Sequence, residues 1–237
     1  MSRVGHDLVV EELSAGYGQR LVIRNASFTH ASGSIVAIVG VNGSGKSTLL
    51  KALCGQVPVS RGRVRYGEVD LLSATPDELH GIGVSYVPQG GLIVPSLRVR
   101  EHFDLVARRS SKGDPEVTRT ALMERFSELV PLLDRLAGNL SGGERMLLSQ
   151  ALLVAQRTSL WLMDEPSAGL APQALHRMVE FLRTSNKEEG IGILMVEHNR
   201  LVTNELTNLT MTMQDGLLLT PKHDTQDKQK PTNFGLR

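Results

Sequence analysis

The length, composition and charge of the chain are those of an ordinary folded protein. It has 237 residues, 41% of them hydrophobic, and its 26 Lys and Arg against 25 Asp and Glu give a formal net charge of +1. These values exclude a disordered chain and a collagen-like repeat. The single cysteine, Cys54, excludes an internal disulfide, and no run approaches the roughly 18 apolar residues of a membrane helix. We therefore expect a soluble cytosolic protein without a signal peptide, and the near-neutral charge predicts no nucleic-acid partner.

Apolar, β-branched segments alternate with helical patterns along the chain, an order typical of an α/β protein with a mostly parallel sheet. The predicted strands are 8–13, 21–28, 34–39, 84–87, 160–163 and 193–196. Helical patterns open after Lys46, Val99, Pro115, Gly143 and Pro172. The runs 35–39 and 160–163 are continuously apolar, which predicts strands buried on both faces.

Two stretches depart from this alternation. From about 90 to 155 no strand pattern occurs, which predicts a helical insert with a polar turn at 110–115. Residues 221–237 contain four basic and two acidic residues, a net charge of +2, and are predicted to be a poorly ordered tail rather than a binding arm.

A glycine-rich segment, Gly40-Val41-Asn42-Gly43-Ser44-Gly45-Lys46-Ser47, fits the pattern G-x-x-x-x-G-K-[ST] throughout. A predicted buried strand enters it and a predicted helix leaves it. Glycines let successive backbone N–H groups curl around phosphate oxygens, and the helix N-terminus adds partial positive charge. Lys46 is expected to reach the β and γ phosphates and the Ser47 hydroxyl to ligate Mg²⁺. The segment therefore predicts a nucleotide site.

Two carboxylates, Asp164 and Glu165, follow the apolar strand 160–163. Asp164 at the end of this strand can hold Mg²⁺ opposite Ser47, usually through water. Glu165 is suited to polarise an attacking water as a general base. Two acids in tandem before Pro166-Ser167-Ala168-Gly169-Leu170 are more specific than one, and they favour a catalytic pair over a surface pair.

A second group of small residues, Ser141-Gly142-Gly143, precedes Glu144 at the start of a predicted helix. The Ser141 hydroxyl and the two glycine N–H groups could donate to a phosphate. Serine followed three residues later by glutamate is also an ordinary capping box. Local sequence leaves both interpretations in place.

The three motifs in this order resemble the ATP-binding subunit of an ATP-binding-cassette (ABC) transporter over about residues 6–220. The resemblance implies a P-loop NTPase (RecA-like) core with a mostly parallel sheet, an antiparallel β part near the N-terminus and a helical subdomain at about 90–155. It implies ATP and Mg²⁺ as cofactors. The implied nucleotide-binding residues are Tyr17 against adenine and, in the P-loop and the helix after it, Gly40, Asn42, Gly43, Ser44, Gly45, Lys46, Ser47 and Thr48.

The resemblance also assigns roles around the γ-phosphate. The implied catalytic residues are Lys46, Gln89, Glu165 and His198, and the implied metal ligands are Ser47, Gln89 and Asp164. His198 follows the strand 193–196 and matches the histidine that hydrogen-bonds the γ-phosphate. The segment Ser167-Ala168-Gly169-Leu170 matches a loop that contacts the opposite subunit. Ser141, Gly142 and Gly143 are implied to act in trans, on the nucleotide held by a second cassette in a head-to-tail dimer.

Within the family, Ile82–Gly90 and Asp164–Pro172 are similar to the short ATP-binding subunits of branched-chain amino acid importers. Related urea and amide systems share these features. The resemblance implies transmembrane permease partners, an indirect link to a solute-binding protein, and a peripheral location on the cytoplasmic face of the membrane. The second cassette is implied to be a paralogue, although a copy of this chain also fits.

The sequence departs from the family pattern at Glu144-Arg145-Met146, where glutamines are usual, and at the apolar segment Gly91-Leu92-Ile93-Val94. The second departure predicts either a permease docking surface or packed core. Cassette ATPases of DNA repair or translation carry a long coiled coil or two cassettes, which 237 residues without heptads do not accommodate. A non-hydrolytic scaffold would not keep every catalytic position.

Overall fold

The computed structural model describes residues 5–109, 114–207 and 209–219. The strands in chain order are β1 Leu8–Tyr17, β2 Arg20–His30, β3 Ile35–Val39, β4 Val59–Tyr66, β5 Val69–Asp70, β6 Val84–Val87, β7 Leu160–Asp164, β8 Gly192–Val196, β9 Thr210–Gln214 and β10 Leu217–Leu219. The α-helices are α1 Lys46–Leu53, α2 Pro76–Ile82, α3 Val99–Arg109, α4 Pro115–Arg125, α5 Gly142–Ala155, α6 Pro172–Glu189 and α7 Arg200–Leu206. Most of the predicted turn at 110–115, and the whole predicted tail 221–237, lie outside the described residues.

The strands form two sheets. An antiparallel sheet has the order β2-β1-β4-β5, and a six-stranded sheet has the order β10-β9-β3-β8-β7-β6, in which only β10 is antiparallel to its neighbour. The predicted α/β class, with a mostly parallel sheet and an antiparallel part near the N-terminus, is confirmed.

All six predicted strands are present, but the sequence prediction missed β4, β5, β9 and β10, together with α2 and α7. In β4 the exposed positions Arg61 and Arg63 alternate with Gly62 and buried Val64, so the strand has no apolar run. In β9 threonine alternates with the buried Met211 and Met213. Both strands bury one face only, and such short alternating patterns are weaker than a continuous apolar run.

Helix α1 lies between the two sheets. Its buried residues Leu49, Leu50 and Leu53 belong to one apolar cluster with Val64 of β4 and Leu194 of β8. On the other face of the parallel sheet, α6 covers β7, where the rings of Trp161 and Phe181 stack with centroids 5.7 Å apart. The central strands β3, β7 and β8 are thus buried on both faces, as their continuous apolar sequences require.

The region 90–155 contains α3, α4 and α5, and no strand occurs among its described residues. Val99, Phe103, Leu129 and Leu148 are fully buried in an apolar cluster that these helices share with the 3₁₀ turn around Leu129. Within the described part of the chain, no helix is long and apolar enough to cross a lipid bilayer.

The sheet order determines where the predicted site residues meet. Strands β3, β8, β7 and β6 are consecutive parallel neighbours. Their carboxyl ends therefore open at one edge of the sheet, where α/β proteins bind ligands. The segments that leave this edge begin at Gly40, Pro88, Glu165 and Glu197, and they carry the four predicted catalytic residues, while Asp164 is the last residue of β7.

Candidate active site

A cavity of about 590 Å³ lies at this edge, over the loop between β3 and α1. Its lining brings together residues from four parts of the chain that are distant in sequence, and consists of Val22, Asn42, Gly43, Gly45, Lys46, Ser47, Thr48, Glu165 and His198. All of these except Val22 were predicted from the sequence.

The glycines of the loop have backbone conformations that other residues rarely adopt. Gly40, Gly43 and Gly45 have φ angles of 152°, 79° and 109°. Gly45 is also the N-cap of α1, and it has no side chain that could bond to the first N–H groups of that helix. These N–H groups and the partial positive charge of the helix end therefore remain available to an anion.

We expect Gly40→Ala to destabilise the protein by about 2–4 kcal/mol, the combined cost of backbone strain and overpacking. A Cβ at Gly40 would lie 2.2 Å from the backbone oxygen of Met213 in β9. Gly43→Ala is the matched control, because its φ is also positive but no atom of the described part of the chain lies within 4 Å of the added Cβ. Urea unfolding of both variants measures the difference. Equal stability of the two would contradict the close packing of β9 against the loop.

Lys46 is 5% exposed and its ammonium lies within the loop. Nζ donates to the backbone oxygens of Gly40 at 3.0 Å and Val41 at 2.9 Å. Burial lowers the pKa of Lys46, while the negative charges of Glu165 and Asp164 oppose this shift. The side chain therefore places positive charge beside the cradle formed by the loop.

Ser47 and Asp164 form the candidate metal site. The Ser47 hydroxyl donates to Asp164 Oδ1 at 2.9 Å, and the Tyr86 hydroxyl donates to Oδ2 at 3.4 Å. Burial and the neighbouring Asp164 charge raise the pKa of Tyr86, so its phenol keeps the proton that it donates. Hydroxyl and carboxylate oxygens are ligands that Mg²⁺ prefers. These two oxygens come from residues 117 positions apart and fit such an ion as a pair.

Glu165 lies between two other predicted catalytic residues. Gln89 Nε2 donates to Oε2 at 3.1 Å, and His198 Nε2 lies 3.1 Å from Oε1. The backbone of Glu165 has a φ of 48°, in the left-handed region, and its N–H donates to Val196 at the end of β8. A strained backbone at a carboxylate that faces a cavity is typical of a functional residue.

The remaining predicted residues lie apart from this cluster. Tyr17 at the end of β1 is 52% exposed and does not line the cavity. Ser141, Gly142 and Gly143, also outside its lining, begin α5, where Ser141 and Glu144 form a complete capping box. The Ser141 oxygen accepts from the Glu144 N–H, so its own proton is not used by that bond. Capping and phosphate binding are therefore compatible at this helix end.

The structure adds three residues that the sequence analysis did not select. Val22 of β2 lines the cavity, Tyr86 contacts Asp164, and Glu197 is a buried carboxylate next to His198. An acid directly before a predicted site histidine was a visible signal for Glu197. Val22 and Tyr86 gave no such signal, because their sequence patterns are those of ordinary strand residues.

Comparisons with known proteins show what this chain is similar to in sequence and fold. The family model described as ABC transporter matches residues 23–168, more than half of the chain. The branched-chain amino acid transport ATP-binding protein BraG of Pseudomonas aeruginosa is 29% identical over 92% of this chain and 92% of its own length. The probable protein LivF of Archaeoglobus fulgidus is 32% identical over 79% of this chain and 80% of its own length. Proteins named for ribose and 2-aminoethylphosphonate import are also similar.

Among solved structures, the dimeric bacterial ABC transporter cassette MJ0796 superposes with a TM-score of 0.78. The match covers 89% of this chain and 96% of that one at 22% identity, and it supports the fold. The predicted P-loop NTPase fold and the predicted family are both confirmed. The chain belongs to the ABC transporter family, as one of its ATP-binding and ATP-hydrolysing cassettes.

Proposed function

We propose that this chain is the ATP-hydrolysing subunit of an importer of branched-chain amino acids. BraG and LivF, which match most of the chain, support the solute class. The observation that carries the hydrolytic part is the cluster around Glu165, whose carboxylate lies 3.1 Å from both Gln89 and His198 beside the P-loop cavity.

In this proposal the P-loop from Gly40 to Thr48 holds the phosphates of ATP and Tyr17 stacks on adenine. Glu165 takes a proton from water as the water oxygen bonds to the γ-phosphorus. The bond to the bridging oxygen breaks, and its electron pair leaves with ADP. Lys46 and His198 stabilise the charge that develops on the γ-phosphoryl oxygens.

Mg²⁺, when bound, would neutralise phosphate charge, and Ser47, Asp164 and Gln89 are the residues that would hold it. The hydroxyl and carboxylate oxygens at 2.9 Å support this assignment. Ser47 would then exchange its bond to Asp164 for a ligand bond.

The proposal places the working site between two cassettes. Ser141, Gly142 and Gly143 do not line their own P-loop cavity, and we propose that they complete the site of a second cassette, a paralogue or a copy. Residues 6–220 then form one nucleotide-binding domain with 90–155 as its helical subdomain. The dimeric structure of the ABC transporter cassette MJ0796 supports a cassette dimer, and the transport function of BraG supports permease partners.

A permease segment has a candidate docking position in a second cavity. A cavity of about 320 Å³ lies between β6 and α3, and its walls include Leu92, Val94 and Leu105. Val94 and Leu105 are 47% and 50% exposed. Tyr86 lines the same cavity and donates to Asp164, so a segment bound there would contact a residue that is hydrogen-bonded to the candidate metal site. Docking here would hold the chain on the cytoplasmic face of the membrane.

Uptake measurements test the solute class. In a strain that lacks this gene, we expect uptake of radiolabelled leucine, isoleucine and valine to fall, and the intact chain to restore it. The Glu165→Gln variant should not restore it. Normal branched-chain uptake together with lost uptake of ribose or an amide would reassign the solute. Normal uptake of all of them would reject the importer.

A further inference from the structure

Glu197 is a buried carboxylate that has no role in the proposed mechanism. It follows β8 and is 2% exposed. Its backbone N–H donates to the oxygen of Ile38 at 3.2 Å, so the residue is anchored to the strand that leads into the P-loop. A carboxylate taken out of water is costly unless hydrogen bonds replace its hydration.

Four donors from two separate segments supply these bonds. Oε1 accepts from the Ser167 hydroxyl at 2.8 Å and from the backbone N–H groups of His198 at 2.7 Å and Asn199 at 2.8 Å. Oε2 accepts from the Ser167 N–H at 3.3 Å. Hydrogen bonds to an ionised acceptor are about twice as strong as neutral ones. The carboxylate therefore ties Ser167 to the segment 198–199, about 30 residues further along the chain.

The same two segments meet again at Glu165. His198 Nε2 lies 3.1 Å from Glu165 Oε1, and the Ala168 N–H donates to the backbone oxygen of Glu165 at 3.0 Å. Glu165, Ser167, Glu197 and His198 thus form a closed ring of covalent and hydrogen-bonded links. Movement of Ser167 cannot leave His198 unaffected while Glu197 bonds to both.

We propose that Glu197 is a positioning residue that holds the loop 166–170 and His198 as one unit against Glu165. This inference rests on the proposed function, because it concerns the placement of the proposed base and γ-phosphate ligand. In the proposed dimer, the loop 166–170 meets the opposite cassette. Glu197 then links that contact to the position of His198.

Four variants of the full chain separate positioning from simple stabilisation. Glu197→Ala removes all four hydrogen bonds. Glu197→Gln keeps the size of the side chain but replaces one carboxylate oxygen, a hydrogen-bond acceptor, by an amide N–H₂ group, which is a donor. Ser167→Ala removes only the bond from the hydroxyl, and Ser167→Ala with Glu197→Ala tests coupling. Ser185→Ala is the matched control, because Ser185 on α6 is fully buried and its hydroxyl has no hydrogen-bond partner among the described residues.

In Mg-ATP hydrolysis, we expect kcat of Glu197→Ala to fall about tenfold or more, and KM for ATP to stay within about twofold. Neither Glu197 nor Ser167 lines the P-loop cavity, so the contacts of ATP with the P-loop and Lys46, which we expect to dominate ATP binding, stay as they are. Ser167→Ala should lower kcat to a smaller extent. The double variant should be no slower than Glu197→Ala, because the serine acts through the carboxylate. Ser185→Ala should match the intact chain in kcat.

Three results would each overturn the inference. The first is an unchanged kcat in Glu197→Ala, and the second is a loss of kcat in the double variant equal to the sum of the two single losses. The third is a loss of kcat that parallels the loss of melting temperature in every variant. If Glu197→Ala does not fold, Ser167→Ala and Glu197→Gln take its place, and their kcat is compared with their melting temperature in the same way.

Absence of turnover in the intact chain would count against the proposed function instead. The imidazole ¹⁵N signals of His198, measured at one pH and assigned with His198→Ala, then test the inference. They should shift in Ser167→Ala and not in Ser185→Ala, and identical spectra would overturn it.

Discussion

Replacing Glu165 by glutamine is expected to lower ATP turnover by about 10²- to 10⁴-fold, the usual contribution of a general base. Glutamine preserves the shape of the cluster. Its carbonyl oxygen can accept from Gln89 Nε2, and its amide can donate to His198 Nε2, at the positions where the carboxylate oxygens lie 3.1 Å from each. What is lost is the basicity needed to take a proton from water.

ATP binding by Glu165→Gln should be retained, because the P-loop and Lys46 are unchanged. With ATP bound but not hydrolysed, we expect a dimer that persists in size-exclusion chromatography. Phosphate release under steady-state conditions and equilibrium binding of ATP measure the two effects. Glu188→Gln, the same exchange at an exposed site on α6, is the control. Turnover equal to that of the intact chain would remove Glu165 from the role of base.

Replacing Lys46 by alanine is expected to weaken ATP binding by about 10- to 150-fold. This range corresponds to losing a hydrogen bond between charged groups, worth about 1.5–3 kcal/mol. The fold should survive, because one of the two oxygens that Lys46 contacts belongs to Val41, a residue that is 71% exposed.

Lys51→Ala is the matched control for Lys46→Ala, since it removes the same charge from the last turn of α1. Isothermal titration of ATP into each variant compares their affinities, and thermal unfolding confirms that both are folded. If the two lysine variants bound ATP equally well, Lys46 would have no direct contact with the phosphates.

The P-loop and the paired acids could be predicted because each occupies a distinctive local pattern. Gly40 to Ser47 follow a buried strand and precede a helix, and Asp164 and Glu165 end a run of apolar residues. The chemistry of such segments depends on neighbours in sequence, so it can be derived without a fold. Tyr17, Gln89 and His198 came from the family resemblance, and the structure supports Gln89 and His198 by their contacts with Glu165.

The contacts that could not be predicted join residues that are distant in sequence. Tyr86 reaches Asp164 because β6 and β7 are parallel neighbours. Val22 reaches the P-loop because β2, in the other sheet, bonds through Arg24 to the turn after β9. Neither pairing follows from helical or strand periodicity, which specifies buried faces and not partners.

By itself the sequence determined the phosphate loop, the paired acids, the α/β class and the chemical identity of the candidate base. These are local properties of residue type and spacing. The tertiary structure decided which of the residues meet. Because β8 lies between β3 and β7, residues 164–168 and 197–199 leave the sheet side by side, and Glu197 lies between Ser167 and His198. Strand order is a property of the whole fold. Only the fold therefore shows that Glu197, an acid next to a histidine in sequence, links the two loops.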